Sequence, residues 1–124
     1  MLYIDEDDNI KLTRGDTAII DIEITDADGE PYIMQPLDEL IFTVRKVYDA
    51  GSVVIEKTLQ IPVITLVTDD TKDLTFGLYR YDIYLYNSST HVLDTFIAEK
   101  RFEVAEEVHN FGEFNRPRNA ARKS

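Results

Sequence analysis

The sequence predicts an all-β domain, a β-sandwich of about seven short antiparallel strands in two sheets. Three observations predict it. Several segments alternate apolar and polar residues with a period of two, Gly, Pro, Asn and Asp cluster between them, and no segment keeps a helical period over three turns. The chain has 124 residues, room for one core, so one domain is expected over 1–108, followed by a tail over 109–124.

"IKLT" at 10–13 reads as the first strand. "TAIIDIEIT" at 17–25 puts Ala18, Ile20, Ile22 and Ile24 on one face and Asp21 and Glu23 on the other, the pattern of a half-buried strand. "DADGEP" follows as a reversal, in which Gly29 supplies the positive φ of a tight turn. "ELIFTVRKV" at 39–47 directs Leu40, Phe42 and Val44 inward and Thr43 and Arg45 outward. "VVIEKTL" at 53–59 and "VITLV" at 63–67 are β-branched runs split by Pro62, which lacks the N–H a central ladder needs. "FGLYRYDIYLY" at 76–86 and "VLDTFIAEKRFEV" at 92–104 flank the polar reversal "NSSTH". The last run changes polarity around Asp94 and Lys100, so a bulge or a break is expected inside it.

The tyrosines of 76–86 change phase midway. Tyr79 and Tyr81 alternate with Ile83 and Leu85 and belong to the core face, while Leu78, Arg80, Asp82, Tyr84 and Tyr86 share the other. "DLTFGLY" fits the corner of immunoglobulin-like domains, where a Tyr near the start of the sixth strand bonds back to the preceding turn. Tyr79 is the candidate for that bond, and Gly77 is expected to give room for the bend. Tyr84 and Tyr86 read first as a half-exposed cover of the outer sheet face, and beside that, with Arg80, as a contact surface, because Tyr and Arg are enriched at interface centres. That reading requires apolar residues exposed beside them.

Charge excludes some partners. The chain carries 13 Lys/Arg and 24 Asp/Glu, net −11, and the balance is split. Met1 to Val108 holds 9 Lys/Arg against 23 Asp/Glu, or −14, whereas His109 to Ser124 reaches +3. An acidic body argues against nucleic acid or anionic lipid as partner. The tail reads first as a frayed, flexible C-terminus, and beside that as a basic peptide, with Phe111 and Phe114 as apolar anchors and Arg116 and Arg118, able to dock on the acidic body of a neighbouring copy. "MLYIDEDDNIKL" has no basic n-region or apolar h-region, so no secretion signal is expected, and no apolar run has the length of a membrane span. Synthesis and folding in the cytoplasm follow as the expectation, and cysteine is absent, which removes disulfides and thiolate chemistry.

Catalytic patterns are weak. The two histidines are His91, in the predicted hairpin loop, and His109, in the tail, and neither has a supporting nucleophile. "DADGE", with Asp26, Asp28 and Glu30, has the spacing of a calcium loop but lacks the downstream bidentate Glu, so an acidic turn is favoured. "DEDD" at 5–8 reads as a solvated acidic start. No enzyme activity, cofactor or metal is expected.

"IKLTRGDTAIIDIEITDADGEPY" at 10–32 resembles the opening of small immunoglobulin-like domains of phages and prophages of Gram-positive bacteria, including the N-terminal domain of baseplate upper proteins. The likeness lies in "RGDT" at Arg14–Thr17, the alternating second strand and the D-x-D-G-x-P reversal, with "FTVRK" at 42–46 and "GLYRYDIYL" at 77–85 similar to later strands. Gly15 is explained by the turn it permits. The resemblance implies a non-enzymatic structural protein of tail, baseplate or connector, a homo-oligomer with other tail or baseplate proteins as partners, located in the virion. Two alternatives stand beside it: a carbohydrate-binding or adhesive sandwich, which the lack of tryptophan disfavours, and a bacterial cytosolic protein of unrelated role.

Overall fold

A computed structural model describes residues 1–106. They form eight strands: β1 (Leu2–Ile4), β2 (Ile10–Thr13), β3 (Ala18–Asp21), β4 (Asp38–Lys46), β5 (Val53–Leu59), β6 (Val63–Leu66), β7 (Gly77–Asn87) and β8 (Val92–Ala105). One helical turn, α1 (Thr68–Thr71), and a 3-10 turn at Asp49–Gly51 complete the elements. A six-stranded sheet runs β1-β2-β8-β7-β4-β5, and β3 and β6 pair as a separate two-stranded sheet. The protein is therefore all-β, but two expectations need correction. Eight strands are present among the described residues, divided six and two, and β2 pairs β8 in parallel, with Leu12 opposite Val104.

The chain reaches β2 by a hairpin from β1. Tyr3 lies opposite Lys11 in the antiparallel β1–β2 pair, so β1 occupies the sheet edge and β2 presents its other side to β8. The acidic stretch at 5–8 is the loop between β1 and β2, in which Glu6, Asp7 and Asp8 are exposed and Asp5 organises the backbone. The Asp5 carboxylate accepts the N–H groups of Asp7 and Asn9, each at 2.9 Å, and the Asn9 side-chain amide at 3.1 Å. The backbone and side-chain bonds from Asn9 are the main cause holding its pKa below the ordinary carboxylate value.

The strand expected over 17–25 is shorter, ending at Asp21. Ile22 still donates its N–H to Pro62 O at 2.8 Å, and Ile24 remains buried, but the chain then enters the 26–30 turn. There Asp26 Oδ1 accepts the N–H of Asp28 at 2.9 Å and of Glu30 at 3.0 Å, while Gly29 adopts φ 80°. That carboxylate organises the turn. Pro62 sits where the chain leaves the large sheet after β5 and enters the small one at β6, a crossing that needs no N–H from it.

The core lies between the sheets. Leu12, Leu40, Phe42, Val44, Leu66 and Phe102 are fully buried, and Phe42 links the aromatic residues, 5.6 Å from the Tyr81 ring and 6.4 Å from that of Phe102. The bulge expected in the last run is present twice: β7–β8 register shifts between Tyr81 and Ile83 and again between Ile83 and Tyr84. Thr43 departs from expectation. It lies on the outer face, yet is buried there between Glu56 and Asp82 of the neighbouring strands.

Candidate functional site

Tyr79 and Gly77 stabilise the start of β7. The Tyr79 hydroxyl donates to the Thr75 carbonyl at 2.8 Å, so the ring in the core is tied to the preceding turn. Gly77 has φ 135°, a conformation that favours glycine, and a Cβ there would meet nothing within 4 Å. Backbone conformation, not room, is therefore what glycine supplies at this position. Tyr79→Phe is expected to cost about 1 kcal/mol in urea unfolding, the net worth of one neutral hydrogen bond; an unchanged midpoint would show the bond contributes nothing.

Gly15, at φ 84°, lets the 14–17 turn approach α1, where its N–H meets the buried Thr71 Oγ1 at 2.8 Å. Arg14 beside it lies 4.2 Å over the Phe76 ring, joining this turn to the entry of β7.

Arg80, Tyr84 and Tyr86 all fall on the outer face of the six-stranded sheet, as alternation along β7 requires. Phe111, Phe114, Arg116 and Arg118, with the boundary near Val108, lie outside the described residues. Register brings further residues to the same face. Arg45 of β4 lies directly opposite Arg80, and Arg80 directly opposite Arg101 of β8. Three arginines thus form one row across three adjacent strands. None has an ion pair within the described residues, although Arg45 Nη1 reaches the Gly51 carbonyl at 3.5 Å. Like charges directly opposite one another in a sheet are destabilising, so the row weakens the isolated domain.

Around the row the face is mixed. Leu78 is 50% exposed and Leu93, opposite Tyr86, is 59% exposed. Tyr84 donates to Asp82 Oδ2 at 3.3 Å, and Tyr86 shares a hydrogen bond of 3.2 Å with His91 Nδ1. Burial, followed by the Asp82 charge, raises the Tyr84 pKa. Asp82 itself is only 8% exposed, and its Oδ1 has no hydrogen-bond partner among the described residues. It sits opposite the first β8 bulge, where Glu99 adopts φ 45°. The arrangement has cations, aromatic rings, exposed leucines and an unsatisfied carboxylate oxygen on one sheet face. It has no paired nucleophile and base, and no cluster of three metal-ligating side chains occurs among the described residues.

A second cluster escaped sequence reasoning altogether. Asp38, at the start of β4, accepts the Tyr32 hydroxyl at 2.6 Å, the Gln35 N–H at 2.7 Å and the Asn87 amide at 2.7 Å. It is buried, which alone would raise its pKa, but the three hydrogen bonds prevail and hold it below 3.8. The same contact pushes Tyr32 up to about 12. This group fastens the 22–37 loop to the end of β7 and is structural.

The class these features define is an all-β protein with a mixed six-stranded sheet facing a two-stranded one, and among its described residues no helix is long and apolar enough to cross a membrane. Comparison with protein-family models, curated proteins and solved structures finds no match.

Proposed function

We propose that this chain is a non-enzymatic protein–protein assembly module, a tail, baseplate or connector component of a phage or prophage, built on an immunoglobulin-like sandwich. The observation that carries the assembly role is the outer face of the six-stranded sheet. An arginine row with no ion pair among the described residues lies beside exposed Leu78 and Leu93 and half-buried Tyr84 and Tyr86. Such a face gains from a partner that supplies carboxylates to the arginines and apolar surface to the leucines. The partner surface is therefore acidic, either that of another tail or baseplate protein or that of a second copy of this strongly acidic chain.

The immunoglobulin-like reading is supported by the Tyr79–Thr75 bond, which ties the start of β7 back to the preceding turn. The phage assignment rests on the resemblance of 10–32, 42–46 and 77–85. Gel filtration of wild type and of Tyr84→Ala/Tyr86→Ala tests the face. Assembly, with itself or with co-expressed tail proteins, is expected to weaken at least tenfold in the variant, and an Arg80→Glu variant is expected to do the same with a loss of salt dependence. Equal masses for all three would remove this face from the assembly role. Mass spectrometry of purified phage particles addresses the location, and sugar hits on a glycan array would favour the carbohydrate-binding alternative.

A further inference from the structure

The small sheet has an open side. Among the described residues β3 pairs only with β6. Because Ile22 N–H bonds to Pro62 O, hydrogen-bonded pairs recur at every second residue of β3, and the backbone N–H and C=O groups of Ile19, Asp21 and Glu23 point away from β6. Beside this free edge the two sheets do not close. A groove of about 190 Å³ opens there, with Ile4 of β1, Ile10 of β2, Ile20 and Ile22, Ile64 of β6 and Ile97 of β8 among its lining residues. Its rim is acidic, formed by Asp8, Asp21 and Glu23. An unpaired strand edge next to an apolar groove is the geometry at which an extended peptide adds a strand and inserts alternate side chains.

We infer that this groove receives the 107–124 segment of a second copy, added as a strand to the free edge of β3. Chemistry and length both fit. The segment supplies Phe111 and Phe114 for an isoleucine-lined groove, and Arg116 and Arg118 for the acidic rim. Its 18 residues exceed the four of β3 several-fold, which leaves enough chain to reach a neighbour. Direction favours the neighbour. β8 ends at Ala105 beside Thr13, the end from which the chain turns into β3, so a chain doubling back onto its own β3 would run parallel to it. A second copy can approach from the opposite end and pair antiparallel, the slightly more stable arrangement. The contact is head to tail, and it generates a ring where its rotation closes. It is separate from the outer face of the large sheet.

The test uses the full chain at a series of concentrations, with sedimentation equilibrium for mass and amide hydrogen exchange for the edge. Two double variants are compared, Phe111→Ser/Phe114→Ser in the segment and Asp21→Lys/Glu23→Lys on the exposed rim, with circular dichroism to check the fold. Association that rises with concentration is expected, with exchange at Ile19, Asp21 and Glu23 slowing at least tenfold as it does. Both variants should lose at least tenfold in association and keep fast exchange at those amides. Edge amides that exchange at one fast rate at every concentration overturn the inference, as does wild-type association in the Phe variant. Protection independent of concentration assigns the groove to the chain's own segment and overturns the second-copy reading. Tyr84→Ala/Tyr86→Ala serves as the control: if it alone abolishes association while the edge stays unprotected, the outer face stands and the groove falls.

Discussion

Phe102→Ala is expected to lower the unfolding free energy by about 3–5 kcal/mol, the range for truncating a buried aromatic residue in a rigid core. Phe102 is fully buried in β8, opposite Tyr79 of β7 and Ile10 of β2, and its ring packs against Phe42. It therefore touches the strand pair that sequence reading did not foresee as well as the central hairpin. Neighbours held by three strands cannot collapse into the space left behind, and the cavity adds to the lost transfer energy. Urea unfolding checks it: the midpoint should fall with the slope unchanged. A loss below about 1 kcal/mol would mean that the site relaxes freely, contrary to the packing. Phe102→Leu, which keeps more of the volume, should lose less.

Asp38→Ala should cost about 2–3 kcal/mol at neutral pH, because it strips an acceptor from the Tyr32 hydroxyl, the Gln35 N–H and the Asn87 amide at once. The effect carries a pH signature. The folded-state pKa of Asp38 lies below its unfolded value of 3.8, so its stabilisation is fully present above 3.8 and is lost as pH falls through the folded value. The gap between wild type and Asp38→Asn should therefore narrow below pH 4, and a gap constant down to pH 2 would contradict the hydrogen-bonded carboxylate. Tyr32 acts in the opposite range. Its pKa is raised from 10 to about 12, so its contribution is present below 10 and lost as pH rises toward 12. Tyr32→Phe should flatten that alkaline loss.

The all-β class, the strands at 10–13, 39–47, 53–59 and 63–67, and the split of the tyrosines between two faces were legible because side-chain alternation is local. Tyr79, Tyr81, Ile83 and Leu85 are buried as their parity requires. The β8 irregularity was legible too, since a polarity change inside one long run cannot be met by a single register. β1 was not. Three residues flanked by acidic chain carry too short a pattern, and their strand state depends on pairing with β2. Thr43 was misplaced in burial because a polar residue on an outer face is covered or bare according to its neighbours, here Glu56 and Asp82.

For the candidate site, the sequence by itself placed Arg80, Tyr84 and Tyr86 on one face, since residues two apart in one strand share a side. Only the tertiary structure decided what stands beside them. Arg45 and Arg101 join Arg80 because strands far apart in sequence pair in one particular register, and a shift of one residue would turn each to the opposite face. The groove beside β3 depends in the same way on which strand is missing from the small sheet. Alternation within a strand is a property of the chain, whereas register and open edges belong to the packed assembly of strands.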